Sequence, residues 1–465
     1  MRAQSSTTAS TTPTFAPNNT PVRSKALPEA RKNEVVATPR QPDGFESSKA
    51  RPLTLSPALA GPAKPTTPST PSTPAAGKLS PKDIPAADWT CFVHLNADNN
   101  LEEFGKADLN EMERVGSITG KLNMIALVDG GALNDKDGWK SNTRLMYVTK
   151  DPSNTGKITS QEIDVDPNSD LGKLLAKGKG ELNTGSPEVL RAAVDYVQRN
   201  VESKHFMVDL WDHGAGWRGV SYDDHPADSL DMADIKQALS NLPKKIDIIS
   251  SDSCLMATKE VADTAKAAGA DWLVGSEEVE PGTGWDYGDL LSRASNAFAD
   301  GEVTPEKMAK LIQESYAAGP SDNVTMSVTD LSKLGALNAK LDSFSDALLK
   351  AGGLQDKTLR AAYQKTLRFD DADQMDLGDF ARRVSSGTQD ASLQKASAVL
   401  LKALADSTNE MAASKGHAKY GASTGLTIYG PKGAVDREYK KAGNDWLTSR
   451  WNDVIATYSG KPRVA

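Results

Sequence analysis

Apolar residues in residues 86–300 follow two alternating rhythms. Trp89-Thr90-Cys91-Phe92-Val93-His94-Leu95, Leu122 to Val128, His205 to Trp211, Ile246 to Ser250 and Trp272 to Gly275 are short, mostly apolar runs that read as buried strands. Between them, Leu101, Phe104, Leu109, Met112 and Val115 recur at helical spacing. Ser186-Pro187-Glu188 opens a helix to about Val201, with proline at its permitted first position, and further helices are expected near 231–241 and 256–268. Arg144 to Val148 reads as a shorter strand in an irregular insert. Strand–helix–strand repeats imply parallel pairing with right-handed crossovers, hence an α/β fold of three layers. Beyond residue 300 helices predominate (305–317, 331–350, 390–406), interrupted by strands near Val324–Val328 and Leu426–Tyr429. No repeat of fixed period appears.

The first 85 residues depart from this pattern. They hold 15 of the chain's 25 prolines and no Trp or Tyr, and Pro62 to Pro74 is low-complexity. Such a stretch buries too little apolar surface to offset backbone entropy and reads as a disordered tail. The expected organisation is therefore a 1–85 tail, an 86–300 catalytic domain and a helix-rich 301–465 part packing on it. The tail carries +6, so the overall −8 leaves −14 on the remainder. That balance excludes a general nucleic-acid binder, which needs a basic face. No run approaches the roughly 18–20 apolar residues that span a bilayer, so no membrane association is expected. Two cysteines, Cys91 and Cys254, cannot build a disulfide framework or a four-cysteine zinc site. Met1 to Thr8 lacks the apolar core of a secretory signal, and Leu53 to Ala63 is broken by Pro57 and Pro62. The compartment stays open: the chain stays inside, leaves by another route, or begins upstream of this Met.

In an open parallel sheet, ligands bind beyond the carboxyl ends of the strands. Two strands there end in reactive sequences, Asp212-His213-Gly214-Ala215-Gly216-Trp217 and Ser251-Asp252-Ser253-Cys254-Leu255-Met256. Were these strands parallel neighbours, His213 and Cys254 would emerge on adjacent loops. An imidazole or a helix N-terminus raises the thiolate fraction of a nearby cysteine, and Cys254 is expected just before helix 256–268. Gly214 lets backbone approach a substrate closely, and its N–H with that of Cys254 could form an oxyanion hole. The plainer alternative, two structural side chains, weighs about equally at this point. Cys91, His94 and His205 lie in strand interiors and read as structural, while His225 and His417 read as solvated. Asp223-Asp224-His225 makes a weak cation corner. Asp370-Asp371-Ala372-Asp373 starts like a calcium loop but lacks its glycine and terminal glutamate, so it reads as surface acid. Glycine-rich phosphate fingerprints are absent, against a nucleotide-binding reading.

At these residues the sequence resembles the clostripain family of cysteine peptidases, which share the caspase-like fold. The matching stretches run in order: Trp89 to Gly116 with Ala97-Asp98-Asn99-Asn100-Leu101-Glu102, then Asp212-His213-Gly214, Asp252-Ser253-Cys254-Leu255-Met256, and Ser276-Glu277-Glu278 through Tyr287. Asp376-Leu377-Gly378-Asp379-Phe380 and Gly425-Leu426-Thr427-Ile428-Tyr429 look like later family segments. The resemblance implies that Cys254 is the nucleophile and His213 the general acid/base, with cleavage after Arg or Lys. It also implies that Asp252 is the acid of the pocket for that residue. A carboxylate two residues before the nucleophile suits a guanidinium or ammonium, although Asp252 could instead cap the following helix. Relatives often cut themselves between His and Cys, which makes Arg218 the candidate cut site, since residues 219–235 hold no Lys or Arg. Calcium dependence and secretion are further implications of the resemblance. Its partners would be peptides or proteins with Arg or Lys at the cut, met by a monomer. The rival reading is a catalytically silent relative that binds basic peptides.

Overall fold

The structure is a computed structural model. It describes residues 77–131, 136–151, 153, 155–319, 324–413, 420–441 and 449–459, with backbone alone for 410–413 and 441. The tail up to residue 76, and His417, lie outside the described residues. Residues 79–85 are tied down: Leu79 N–H donates to Glu162 O at 2.8 Å, and Asp164 N–H donates to Leu79 O at 2.7 Å.

The strands are β1 (Ala87–Ala97), β2 (Leu122–Gly130), β3 (Arg144–Tyr147), β4 (Gln161–Glu162), β5 (Ser203–Trp211), β6 (Val220–Asp223), β7 (Asp228–Leu230), β8 (Ile248–Ser250), β9 (Trp272–Gly275), β10 (Val324–Asp330), β11 (Gln374–Asp376), β12 (Thr408–Ala413) and β13 (Thr427–Tyr429). Nine of them form one sheet in the order β12-β10-β9-β8-β5-β1-β2-β3-β4. The central five run parallel, as the crossover pattern predicts. The edges do not: β10 and β12 on one side and β3 and β4 on the other are antiparallel additions. The pairs β6–β7 and β11–β13 stand apart as small antiparallel units.

Alternation along the central strands sends side chains to two faces, and each face is roofed by helices. Phe92, Ile125, Leu127, Phe206, Val208 and Leu210 point to one core. There they meet α2 (Asp170–Lys177), α3 (Pro187–Asn200), α4 (Met232–Leu239), α5 (Lys259–Ala267) and, from the later part, Leu337, Leu341 and Phe344 of the Leu334–Lys350 helix. Cys91, Val93, Leu95, Met124, Ala126, Val128 and Met207 point to the other. That face is covered by Leu109 and Met112 of α1 (Glu102–Glu113) and by the Tyr287–Asp300 and Pro305–Ala318 helices. The two cores make three layers, with β1, β5 and β8 in the middle of the sandwich. Cys91 is buried, as its strand position predicts.

One element starts later than its sequence predicts. The helix expected from 256 begins at Lys259, after Thr258, whose hydroxyl accepts from Val261 N–H. Leu255, Met256 and Ala257 have good helix propensity, but tertiary bonds hold them irregular. Leu255 N–H donates to Glu278 O, Ala257 N–H donates to Ser276 O, and Leu255 sits at a left-handed φ of 65°.

Candidate active site

The sheet register sets the site. Asp209 of β5 pairs with Ser250 of β8. His213 and Cys254 each follow that pair by four residues, so parallel strands deliver both to the same edge on adjacent loops. Bonds between the loops hold this arrangement. Asp212 N–H donates to Asp252 O at 3.3 Å, and the Ser253 hydroxyl donates to Leu210 O at 2.7 Å. Gly214 lies close against the loop that carries Cys254. A Cβ placed there would stand 2.9 Å from Ser253 Cβ and 3.1 Å from Met256 Cγ, and would overlap Cys254 O.

Cys254 is half-buried beside Leu255, Phe369, Tyr420 and Leu367. Glu280 N–H donates to its Sγ at 3.2 Å. Burial, reinforced by the carboxyls of Asp252 and Asp370, pushes the thiol up, while that N–H works the other way. The expected helix dipole contributes little, because α5 starts five residues beyond Cys254 and the effect fades within a turn. His213 is also half-buried, which lowers its imidazole and outweighs the pull of Asp224. At neutral pH the resting pair is therefore a thiol and a neutral imidazole. His213 Nε2 lies 2.8 Å from Asn100 Oδ1. An amide oxygen only accepts, so Nε2 carries the proton and Nδ1 the lone pair.

Asp252 does not cap a helix, since Thr258 does. Its carboxyl accepts Trp285 N–H at 3.3 Å. Gly284, at a φ of +52°, presses so close that a Cβ would stand 2.9 Å from Asp252 Oδ1. Glu280, Asp209 and Tyr287 surround the same carboxyl. Burial first, then Asp209, lifts Asp252 to about 7. Burial also raises Glu280 well above the carboxylate range, with Asp252 next, and Asp108 reaches about 9. Both Glu280 carboxyl oxygens are sealed from solvent, with the Asp252 carboxyl and the Tyr316 hydroxyl as their polar neighbours. The cluster thus holds protons at neutral pH, as carboxyls packed without a cation must.

A protein-family model described as the clostripain family matches residues 93–447 of this sequence. The chain belongs to the clostripain family. Clostripain of Hathewaya histolytica is 29% identical over 228 residues, a match spanning 44% of this chain and 41% of that protein. The chain thus aligns with less than half the length of this curated relative. The fold is shared with a secreted C11 cysteine protease from Bacteroides thetaiotaomicron solved with an irreversible peptide inhibitor (TM-score 0.56, 19% identity, 78% of this chain and 99% of that one). It is shared also with an inactive zymogen C11 protease from Parabacteroides distasonis (TM-score 0.54, 17% identity, 79% and 98%). The architecture is therefore the caspase-like sandwich that the resemblance implies.

Other singled-out residues of this family member take structural posts. Arg218 sits in a tight turn, Gly216–Arg218, with its guanidinium over the Trp217 ring. It is paired with Asp371, with Asp373 at 3.8 Å and with Asp436 at 4.0 Å. Asp371 and Asp373 are thus parts of an arginine clamp rather than free surface acids. Asp223 accepts from Thr184, and His225, its side chain 71% exposed, pairs with Asp98 at 3.0 Å. Among the described residues no group of three or more His, Cys, Asp or Glu is arranged to hold a metal ion. Sequence reasoning overlooked Asn100 and Glu280 individually. Both lie within stretches that carried the family likeness, but no local pattern marks their contacts, made across 113 and 26 residues.

Proposed function

We propose that this chain is a cysteine-type endopeptidase that cuts peptide bonds after Arg or Lys. The observation that carries this is the register-matched placement of His213 and Cys254 above a buried carboxyl cluster led by Asp252. His213 Nδ1 takes the thiol proton as Cys254 Sγ attacks the peptide carbonyl carbon. The raised thiol and the lowered imidazole favour transfer during attack over a standing ion pair. The N–H groups of Gly214 and Cys254 face the resulting oxyanion. The C–N bond breaks as the imidazolium protonates the leaving amine, and water, deprotonated by the same imidazole, releases the acyl group. A guanidinium or ammonium entering beside Asp252 and Glu280 supplies the cation that the cluster lacks, and protons leave as it binds.

Self-processing after Arg218 belongs to the same reading, and in the structure described it requires that side chain to leave its clamp. The test compares hydrolysis of an Arg-ended amide by the wild type and Cys254→Ala. Hydrolysis by the wild type alone supports the peptidase. Equal hydrolysis by both refutes it, and hydrolysis by neither leaves the basic-peptide binder.

A further inference from the structure

Two bonds side by side tie the loop after β1 to the loop after β5. Asn99 Nδ2 donates to Asp212 Oδ1 at 2.7 Å, and in the next residue of each loop His213 Nε2–H donates to Asn100 Oδ1 at 2.8 Å. Each bond joins residues 113 apart in sequence, so the two loops run in step.

The first pair is firmly built. Asp212 is buried and also accepts from Asn96 Nδ2 and from Tyr222 N–H. Asn99 donates to Tyr222 O at 2.7 Å as well, and its own Oδ1 accepts Leu101 N–H at 2.8 Å. Asn100 is therefore fixed between a pinned asparagine and the entry to α1, although its own side chain is exposed. Its contact with His213 is not a chance surface bond between two loose side chains.

We propose that Asn100 is a positioning residue for His213. By accepting Nε2–H it fixes the ring's rotation and leaves Nδ1, which has no partner among the described residues, as the nitrogen that receives the Cys254 proton. This rests on the peptidase reading of the site. A base must be held by a third group when its nucleophile offers no strong bond at rest, and here the thiol's close partner is the Glu280 backbone instead. The role belongs to the acceptor oxygen alone, since no bond of the Asn100 amide nitrogen is seen. That gives the hypothesis a sharp test.

Asn100→Ala should lower kcat by about fivefold to tenfold, the worth of one half-exposed hydrogen bond, while KM stays within about twofold. Asn100→Asp keeps an acceptor without the amide nitrogen and should recover most of the rate. An unchanged kcat in Asn100→Ala, or an Asn100→Asp variant as slow as alanine, overturns the proposal. A second measurement avoids hydrolysis altogether. In the Cys254→Ala protein with 15N-labelled histidine, the His213 Nε2 proton should be visible as a slowly exchanging signal, and it should vanish in Cys254→Ala/Asn100→Ala. No such signal, or one indifferent to Asn100, also overturns it. If wild type and Cys254→Ala hydrolyse alike, the peptidase reading fails, and the histidine signal still judges the Asn100 contact separately.

Discussion

Replacing Gly214 with alanine probes the meeting of the two loops most directly. The Gly214 backbone is not in the left-handed region, so alanine fits its dihedrals and the effect is purely steric. The new methyl would stand 2.9 Å from Ser253 Cβ, whereas carbon atoms rest at roughly 3.5–4.0 Å. The loops must therefore part by about 0.6–1 Å, and the overlap with the Cys254 carbonyl pushes in the same direction. Overpacking of this kind costs about 1–3 kcal/mol of stability. A displacement approaching 1 Å between reacting groups costs about 10²-fold in rate, so kcat/KM should fall by about 10- to 100-fold. The assay is hydrolysis of an Arg-ended amide beside thermal melts in the same buffer. Gly335→Ala is the control: nothing lies within 4 Å of its added methyl. On a helix it should gain up to about 1 kcal/mol and leave the rate alone. A Gly214→Ala enzyme working within twofold of wild type would show that the loops need not touch, and the site geometry would have to be abandoned.

Three further perturbations test neighbouring features. Asp252→Asn should leave a folded protein that no longer prefers Arg or Lys, read from kcat/KM ratios over a P1 substrate series; an unchanged ratio refutes the pocket assignment. Glu280→Gln should raise the melting temperature, and the gain should grow from pH 5 to pH 9. The sign follows from linkage: a carboxyl raised on folding stabilises while protonated, and that stability is lost as pH rises through its folded value. A gain that ignores pH counts against a proton on the cluster. In the Cys254→Ala background, trypsin should spare the Arg218–Gly219 bond and cut it once Asp371→Asn and Asp373→Asn loosen the clamp; equal cutting in both proteins would show that the acids do not shield it.

The strands that build the site were readable because each is a short apolar run ending in polar, glycine-rich sequence, as at Trp211-Asp212-His213-Gly214 and Ser250-Ser251-Asp252. Parallel order followed from the helices between them. The antiparallel edges were not readable, since the apolar pattern of Val324–Asp330 carries no strand direction. The late start of α5 was hidden because Leu255-Met256-Ala257 favours a helix locally, and only bonds from Ser276 and Glu278 override that preference. Asn100 and Glu280 gain their places through partners distant in sequence, so no spacing rule could assign them. Asp371 and Asp373 were legible as acids, but their arginine lies 153 residues from Asp371.

The seam between β5 and β8 runs down the middle of the sheet, and the polypeptide crosses it through the Arg218 turn. Scission there would not divide the molecule into separable halves. Each product would own part of one continuous hydrogen-bonded slab, with the earlier piece supplying β1 to β5 and the later piece β8, β9, β10 and β12. A nicked protein would migrate as a single particle on a sizing column and resolve into two bands only in detergent or urea. Scission in such an architecture would create new chain ends without releasing a subunit.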